Sequence, residues 1–188
     1  RTCQTTCSVP NDILGKHYST IAEKLSKKLP NIDKEDIPTS SKLNSNTKRR
    51  TSDAFRFTNL LQREVYETIL KLDSSKGPGM DDIDVKTLKS VADIISPHLT
   101  DLFNQSLQLG VYPDIFKIAK CVPIFKGAPL DPEQPVNYQP ISILNAVNKA
   151  FERLIHDQIT RYLEVNNLLP KFQYGYRKHH NTSQAVLD

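Results

Sequence analysis

Residues 120–144, KCVPIFKGAPLDPEQPVNYQPISIL, form the stretch around which the fold is organised. A short apolar run, CVPIF, ends in Lys126 and predicts a strand. A turn rich in Pro, Gly and Asp follows, and a second apolar run begins at Ile141. Two extended segments joined in this way predict a β-ribbon that carries a cation at the end of one strand and a polar side chain, Gln139, at the start of the other. Such a tip is suited to holding a polyphosphate.

The rest of the chain is dominated by apolar residues at helical spacing. Asp84 and Asn145 are candidate N-caps, Asn59 and Gln62 are expected to cap one helix reciprocally, and Ser96–Pro97 is expected to open a new helix. The periodicity predicts helices over residues 12–29, 59–72, 84–95, 96–109 and 145–166, one helical turn at 113–118, and a further helix that starts near 182.

The predicted helices between 59 and 109 and the helix over 145–166 are expected to pack together through their apolar faces. In the turn between two of them, Gly77 and Gly79 are expected to supply backbone angles that other residues avoid. The residues expected to face inward are Leu61, Val65, Ile69, Leu72, Val85, Leu88, Val91, Ala92, Ile95, Leu99, Leu102, Phe103, Ser106, Leu107, Phe116, Val147, Phe151, Leu154, Ile155, Ile159 and Leu163.

Composition sets the broad class. The chain has 188 residues, 12 prolines, a net charge of +4 and a mean hydropathy of -0.46, which favours a helical domain with polar connectors. Residues 1–56 are expected to be an upstream helix and a flexible, loosely attached linker, and the cationic run at 48–50 to be a solvated part of it. Three cysteines and the absence of a long apolar span favour a reducing intracellular compartment, cytoplasmic or nuclear, without disulfides or membrane attachment.

Several blocks of the sequence resemble the reverse transcriptases of non-long-terminal-repeat (non-LTR, LINE-like) retrotransposons. VPIFK, DP and NYQPISIL are similar to the family's VPIFKKGD, DP and NYRPISLL. SSKGPGMDDIDVKTLK at 74–89 resembles its KSPGPDGIP block, and KAFERLIHDQITRYLEVNNLLPKFQYGYRKHHNTSQAVLD resembles KIFEKIIxxRLxxYLExNxLLxxxQxGFRxxxSTxxALL. The match is collinear and covers roughly residues 60–188.

The resemblance implies an α+β, mainly helical fold: the fingers and partial palm of a reverse transcriptase, with one β-ribbon and an incomplete palm sheet, over residues 57–188. It implies that Lys126 and Gln139 contact a deoxynucleoside triphosphate, and that Lys76, Gln173, Gly175 and Arg177 lie along the RNA template strand. The residues alone also allow a solvated turn lysine at 126, a ligand-free helix-to-helix turn at Lys76, and packing of the aromatics near 172–174 under the last helix.

The sequence departs from the family at several of these positions. Gln139 stands where the family has Arg, so a forked, charged donor is replaced by a neutral amide. Met80 and Asp82 stand where Pro and Gly are usual, and the added carboxylate would repel phosphate. Gly127-Ala128 replaces Lys-Gly after Lys126, which thins the local positive charge.

The aspartate motifs that hold two metal ions in reverse transcriptases do not occur in this sequence. A truncated polymerase fragment, inactive alone, is therefore the first functional hypothesis. DNA primer, template and Mg²⁺ would belong to the complete enzyme, whose missing downstream palm segment would carry the metal ligands, and no residue here is expected to be catalytic or to bind metal. The alternative is a non-catalytic helical module, derived from a mobile element, that binds RNA or another protein.

Overall fold

The structure is a computed structural model that describes residues 7–27, 54–170 and 172–187. In chain order its elements are α1 (Asn11–Ser26), α2 (Gln62–Lys71), α3 (Val85–Ser90), α4 (Ala92–Leu109), β1 (Lys120–Phe125), β2 (Tyr138–Ile143), α5 (Ala146–Val165) and α6 (Thr182–Leu187). Short 3-10 turns occupy Asp114–Lys117 and Pro135–Asn137. The predicted fold class, mainly helical with one antiparallel ribbon, is confirmed.

The main core lies between α2, α4 and α5, as the sequence predicts. Its centre is the ring of Phe151, which stacks on Phe103 with ring centroids 4.4 Å apart and on Tyr112 at 5.6 Å. Phe116 is buried against the same group, with its ring centroid 6.1 Å from that of Phe151. Aromatic burial of this extent is a large share of the hydrophobic stabilisation of a small helical body.

A buried polar group holds the chain after α4 onto α5. Asn148 is fully buried, donates through Nδ2 to the Phe116 carbonyl at 2.7 Å, and accepts a hydrogen bond from the Tyr112 hydroxyl. Burial, and then the nearby Glu152 carboxylate, raise the pKa of Tyr112 to about 12. The side-chain nitrogen and oxygen of Asn148 are therefore both hydrogen-bonded. This network fixes the position of the Asp114–Lys117 turn and of the ribbon that follows it.

The extended segment before α2 is clamped by two side-chain amides. Asn104 of α4 accepts from the Leu60 N–H at 2.7 Å and donates to its carbonyl at 3.0 Å. Gln158 of α5 makes the same pair of bonds with Thr58, each 2.9 Å long. An otherwise unpaired backbone is thereby satisfied, and α4 and α5 are tied across one edge of the core.

The start of α2 differs from the prediction. The N–H of Leu61 bonds to the Glu64 carboxylate at 2.8 Å, so Leu61 occupies the N-cap position and the predicted Asn59–Gln62 cap is wrong. Asn59 instead accepts from Gln108 at 3.3 Å. Since the helix begins later, Leu61 is 65% exposed and the preceding leucine at position 60 is the buried one.

The boundary between α3 and α4 lies at Val91, and not at Ser96–Pro97 as predicted. The carbonyl of Val91 accepts from the N–H groups of Ile94 and Ile95 at 3.1 and 2.9 Å and starts the new helix. Pro97 lies inside α4, where it lacks the N–H that would bond to the carbonyl of the exposed Asp93. The expected burial of Val91, of Leu102 in α4 and of Ile159 in the later helix α5 is also wrong, since all three are exposed.

The turn between α2 and α3 uses its glycines differently from the expectation. Neither Gly77 nor Gly79 has a positive φ, and the left-handed residue of this turn is Asp82 at φ 52°. Gly79 is required for space, because a Cβ there would lie 2.6 Å from the backbone nitrogen of Asn145. The turn is thereby seated against the start of α5, where Asn145 caps the helix by accepting from Asn148, as predicted.

The described part of the N-terminal segment is docked onto the ribbon, and the expected loose attachment is wrong for it. Val9 and Leu14 are buried against Tyr138. The Ser8 hydroxyl donates to the Pro132 carbonyl at 2.7 Å, and the Tyr138 hydroxyl donates to the same carbonyl at 2.8 Å. α1 starts after Pro10, so Asn11 is its first residue, one position earlier than the predicted start at 12. The predicted helix end at 29–30 and the cationic run at 48–50 lie outside the described residues.

Candidate functional site

The two strands of the ribbon pair in one antiparallel register, from Lys120 opposite Ile143 to Phe125 opposite Tyr138. β2 begins at Tyr138, three residues earlier than the predicted apolar run, because the ladder reaches back towards the turn. The N–H of Lys126 still bonds to the Asn137 carbonyl at 3.0 Å, which extends the pairing by one residue beyond β1.

The register separates the ribbon into two faces. Cross-strand partners share a face, and successive residues alternate between faces. Phe125 and Tyr138 share the covered face, with ring centroids 5.4 Å apart, and contact α1. Gln139, which pairs with Ile124, is therefore on the opposite, exposed face, and the alternation places Lys126 on that face as well.

Both strands carry a proline at the same level, because Pro123 pairs with Pro140. The bond from Lys126 to Asn137 makes alternate pairs hydrogen-bonded, so the proline pair falls at a position whose N–H groups would point away from the partner strand. No ladder bond is lost there. The free edges of the ribbon lack donors at these points, which disfavours pairing with a third strand.

Lys126 is exposed, and its ammonium donates to the Val136 carbonyl at 2.7 Å. Among the residues that the structure describes, no carboxylate forms an ion pair with it. An ammonium has three donors, so this carbonyl leaves two for an incoming anion. The turn that carries Val136 is itself ordered, since Asn137 Nδ2 donates to the Asp131 carbonyl at 2.8 Å.

Lys76 lies in the turn between α2 and α3. Its ammonium is exposed and 3.8 Å from Asp73 Oδ2. Hydrogen bonds from the Ser75 hydroxyl and N–H hold the pKa of Asp73 below its usual value, so this carboxylate is charged at neutral pH. Next to it, the Gly77 carbonyl accepts from Lys149 of α5 at 3.1 Å. The turn is thus linked to the polar face of α5.

The remaining predicted template residues lie in the irregular segment between α5 and α6. Gln173 Nε2 donates to the Gly175 carbonyl at 3.0 Å, so its amide closes a turn within the segment. Arg177 is half-buried and lines an open groove of about 1000 Å³ together with Phe172, Tyr174 and His180. Phe172 is 68% exposed, so its packing under the last helix is not observed, whereas Tyr174 contacts the His180 ring at 5.7 Å.

A second cavity, of about 530 Å³, lies between α2, α5 and the segment that follows Arg177. We call it the basic cleft; its charged lining residues are Lys71, Asp73, Lys149, Arg153, Asp157 and Lys178. Sequence reasoning assigned no role to Lys149 or Arg153. Their i, i+4 spacing on the polar face of α5 is the signal that was available for finding them.

The described ranges contain no group of three His, Cys, Asp or Glu side chains arranged to hold a metal ion. Mg²⁺ in nucleotidyl transfer needs clustered carboxylates, and the residues that the structure describes do not supply such a cluster. In the same ranges, no helix has the length and apolarity needed to cross a bilayer.

Comparison with known proteins gives the relatives of this chain. Over 125 residues, 65% of the chain, it is 36% identical to the RNA-directed DNA polymerase from mobile element jockey of Drosophila funebris. It is 36% identical over 124 residues to the probable RNA-directed DNA polymerase from transposon X-element of Drosophila melanogaster, and 33% identical over 124 residues to that from transposon BS. No protein-family model matches the chain.

The relatives are much longer than the matched region. The chain spans 13% of the jockey and X-element proteins and 14% of the BS protein. The three agree with the resemblance carried by the VPIFK and NYQPISIL blocks. This chain is therefore related, over about two thirds of its length, to a short segment of the RNA-directed DNA polymerases (reverse transcriptases) of non-LTR retrotransposons.

Proposed function

We propose that residues 57–188 form the fingers and the beginning of the palm of such a polymerase, and that the exposed face of the ribbon binds the triphosphate of a deoxynucleotide. The observation that carries the proposal is the ribbon register. It puts Gln139 on the exposed face, opposite Ile124, and Lys126 two residues further along that same face. Diagonal neighbours in an antiparallel pair lie about 7–8 Å apart at Cα, within the joint reach of two long side chains.

The chemistry of this pair is that of a weak polyphosphate clamp. The Lys126 ammonium would neutralise phosphate charge, and the Gln139 amide would donate one or two hydrogen bonds. An arginine at position 139 would add a charge and a forked geometry that glutamine lacks. By analogy with the loss of one preorganised donor, its absence weakens transition-state stabilisation by roughly 2–4 kcal/mol.

The template strand is proposed to run along Lys76 and the segment that contains Gln173, Gly175 and Arg177. The supporting observation is the open groove in which Arg177 lies beside two aromatic rings and an imidazole. Exposed aromatics stack on bases, and a guanidinium contacts the phosphate or the base face. Because Gln173 and Gly175 bond to each other, their role here is to shape the turn that presents Arg177.

The chain on its own is proposed not to polymerise DNA. The aspartates, the Mg²⁺ ions and the binding of a DNA primer are assigned to polypeptide that the much longer relatives possess beyond the matched region. Primer extension on an RNA template with magnesium present tests this directly. Templated incorporation by the purified chain would contradict the proposal, because it would show that this chain itself supplies the metal-binding carboxylates.

Triphosphate binding is tested with ribbon variants. Labelled deoxynucleoside triphosphate is titrated against the chain and followed by fluorescence anisotropy. Gln139→Arg is expected to tighten binding roughly tenfold, since it converts a neutral hydrogen bond into a charge-assisted one, and Lys126→Gln is expected to weaken it by a similar factor. Lys120→Gln is the matched control, because Lys120 lies on the same face at the far end of β1.

Two results would contradict the proposal. If both variants bind triphosphate as the unmodified chain does, the ribbon is not the nucleotide site. If the chain binds RNA but shows no measurable affinity for triphosphate in any variant, the alternative of a non-catalytic RNA-binding module takes its place.

A further inference from the structure

We propose that the basic cleft binds consecutive phosphates of a single RNA strand, with Lys149 and Arg153 as its central contacts. This site is separate from the ribbon and from the groove around Arg177. It rests on the proposed function in that it extends the path of the template strand across α5.

The charge balance of the basic cleft favours an anion. Four cations line it, and they face two carboxylates. Arg153 is 3.3 Å from Asp157, and Lys71 is 3.4 Å from Glu67, so these two cations are partly neutralised. Among the described residues, neither Lys149 nor Lys178 forms an ion pair with a carboxylate. The positive charge of these two residues is therefore available to a ligand.

The geometry of the basic cleft favours a chain of phosphates over a single one. Lys149 and Arg153 are one helical turn apart, which places their Cβ atoms about 5–6 Å from each other along the cleft. Lys71 on α2 and Lys178 in the irregular segment stand on other walls of the same cavity. Cations distributed along an open cleft match successive phosphates better than they match one compact dianion.

The accessibility of these cations gives the type of contact. Lys71, Arg153 and Lys178 are exposed, whereas Lys149 is half-buried and its ammonium donates to the Gly77 carbonyl at 3.1 Å. Hydrated cations of this kind bind the phosphate backbone of RNA through charge and counterion release, and they do not distinguish one base sequence from another. The expected binding is therefore salt-dependent and tolerant of sequence.

The groove around Arg177, next to the basic cleft, favours single-stranded RNA over a duplex. The segment that supplies Lys178 to the basic cleft also supplies Tyr174 and Arg177 to the groove around Arg177 described above. A strand whose phosphates follow the basic cleft can direct unpaired bases to those rings, whereas the bases of a duplex are already stacked on one another. The turn that carries Lys76 is tied to Lys149, so both regions predicted from the sequence to contact template adjoin this one cleft.

The test compares salt dependence in two matched double variants. A labelled single-stranded RNA oligonucleotide is titrated against the full chain at several salt concentrations and followed by anisotropy. Each phosphate neutralised contributes about 0.7 to the slope of log affinity against log salt for single strands, so Lys149→Gln/Arg153→Gln is expected to lower the slope by about 1.4 and the low-salt affinity on the order of tenfold. The control is Lys16→Gln/Lys24→Gln, which removes two exposed cations of α1 and should leave both quantities unchanged.

Further measurements separate the possible failures. Thermal melting of each variant identifies a loss of affinity that comes from unfolding, and photo-crosslinking of thiouridine-containing RNA to the unmodified chain is expected to label peptides around Lys149 and Lys178. An unchanged slope in the cleft variant, with RNA still bound, overturns this inference and leaves the ribbon proposal intact. Displacement of the RNA by an equal concentration of pyrophosphate would show a site for a compact phosphate and would also overturn it. Absence of any RNA binding would overturn this inference and the proposed template path, whereas the ribbon proposal is decided separately by the triphosphate titration.

Discussion

At the scale of single residues, Gly79 carries a steric requirement that its neighbour Gly77 lacks. A Cβ at Gly79 would lie 2.6 and 2.7 Å from the backbone N and Cα of Asn145 and 2.9 Å from the carbonyl carbon of Leu144, whereas one at Gly77 would meet nothing within 4 Å. Backbone cannot yield as a flexible side chain can. The contact therefore decides where the α2–α3 turn meets the start of α5.

We predict that Gly79→Ala destabilises the chain by about 1–3 kcal/mol, the usual penalty for overpacking. Gly77→Ala is the matched control and is expected to be neutral or slightly stabilising, because Ala restricts the unfolded chain more than Gly does. Urea unfolding followed by circular dichroism measures both. Equal midpoints for the two variants would show that the close approach to Asn145 is not needed for folding.

Tyr112 gives a prediction for alkaline pH. Its pKa is raised from 10.0 to about 12 by burial and by Glu152, so the folded state holds the phenolic proton more tightly than the unfolded state does. Its contribution to stability is fully present below pH 10 and is lost as the pH rises from about 10 to 12.

The measurement is the free energy of unfolding as a function of pH. The unmodified chain is expected to lose stability more steeply across this window than Tyr112→Phe, which cannot ionise at that position. Tyr176→Phe, at a fully exposed phenol, should retain the slope of the unmodified chain. If Tyr112→Phe and Tyr176→Phe give parallel curves, burial of Tyr112 does not couple its proton to folding.

At the scale of secondary-structure elements, the joint between α1 and the ribbon depends on one turn of α1. Leu14 is 3% exposed and contacts the small cluster that contains Val9 and Tyr138, while the adjacent Ile13 is 47% exposed. A two-stranded ribbon is marginally stable alone. The ribbon therefore depends on α1, which covers one of its two faces.

We predict that Leu14→Asp exposes the ribbon, because a charge cannot be buried beside Tyr138 without a partner. Amide hydrogen exchange of residues 120–143 is expected to become faster in this variant and to remain unchanged in Ile13→Asp, which places the same charge one residue away on the solvent side. Unchanged exchange in Leu14→Asp would mean that the ribbon is held by its connections to the helical body alone.

At the scale of the whole molecule, two clusters divide the described residues. The larger joins α2, α4 and α5 around Phe151, and the smaller joins α1 to the ribbon around Tyr138. The candidate nucleotide face is on the ribbon, whereas the basic cleft is on the helical body. A substitution that destabilises one cluster should therefore leave the other cluster, and the candidate site near it, intact.

We predict that Phe151→Ala lowers the free energy of unfolding by about 3–5 kcal/mol, since it empties the centre of the aromatic stack. Phe172→Ala, which truncates a largely exposed ring of the same type, is the control and should change stability by no more than about 0.5 kcal/mol. Chemical denaturation of both variants is the measurement. Similar losses in the two would place the main stabilising core elsewhere.

Local sequence patterns were sufficient for a large part of the fold. The stripe that includes Phe151 and Leu154 predicted α5, Asn145 predicted its cap, and the apolar runs around the Pro-rich turn predicted the ribbon. These features depend on residues close in sequence, because a helix face repeats every few positions and a cap acts on the next turn. The relationship to retrotransposon polymerases could likewise be read from short collinear blocks.

Contacts between distant segments could be decided only by the tertiary structure. The burial of Leu60 in place of Leu61 follows from the amides of Asn104 and Gln158, which periodicity within one segment cannot include. The helical periodicity of α1 could be predicted from its own residues, but the fact that α1 packs against the ribbon could not. The basic cleft gathers Lys71, Lys149 and Lys178 from separate segments, and only packing brings such charges together.

The sequence by itself determined the helices, the ribbon and the relationship to a polymerase family, since each of these depends on residues that are close to one another in the sequence. The tertiary structure decided which face of the ribbon stays exposed, where the α2–α3 turn meets α5, and which cations share a cavity. The physical reason is that burial and charge proximity depend on distances through space, and those distances are set by the packing of the whole chain.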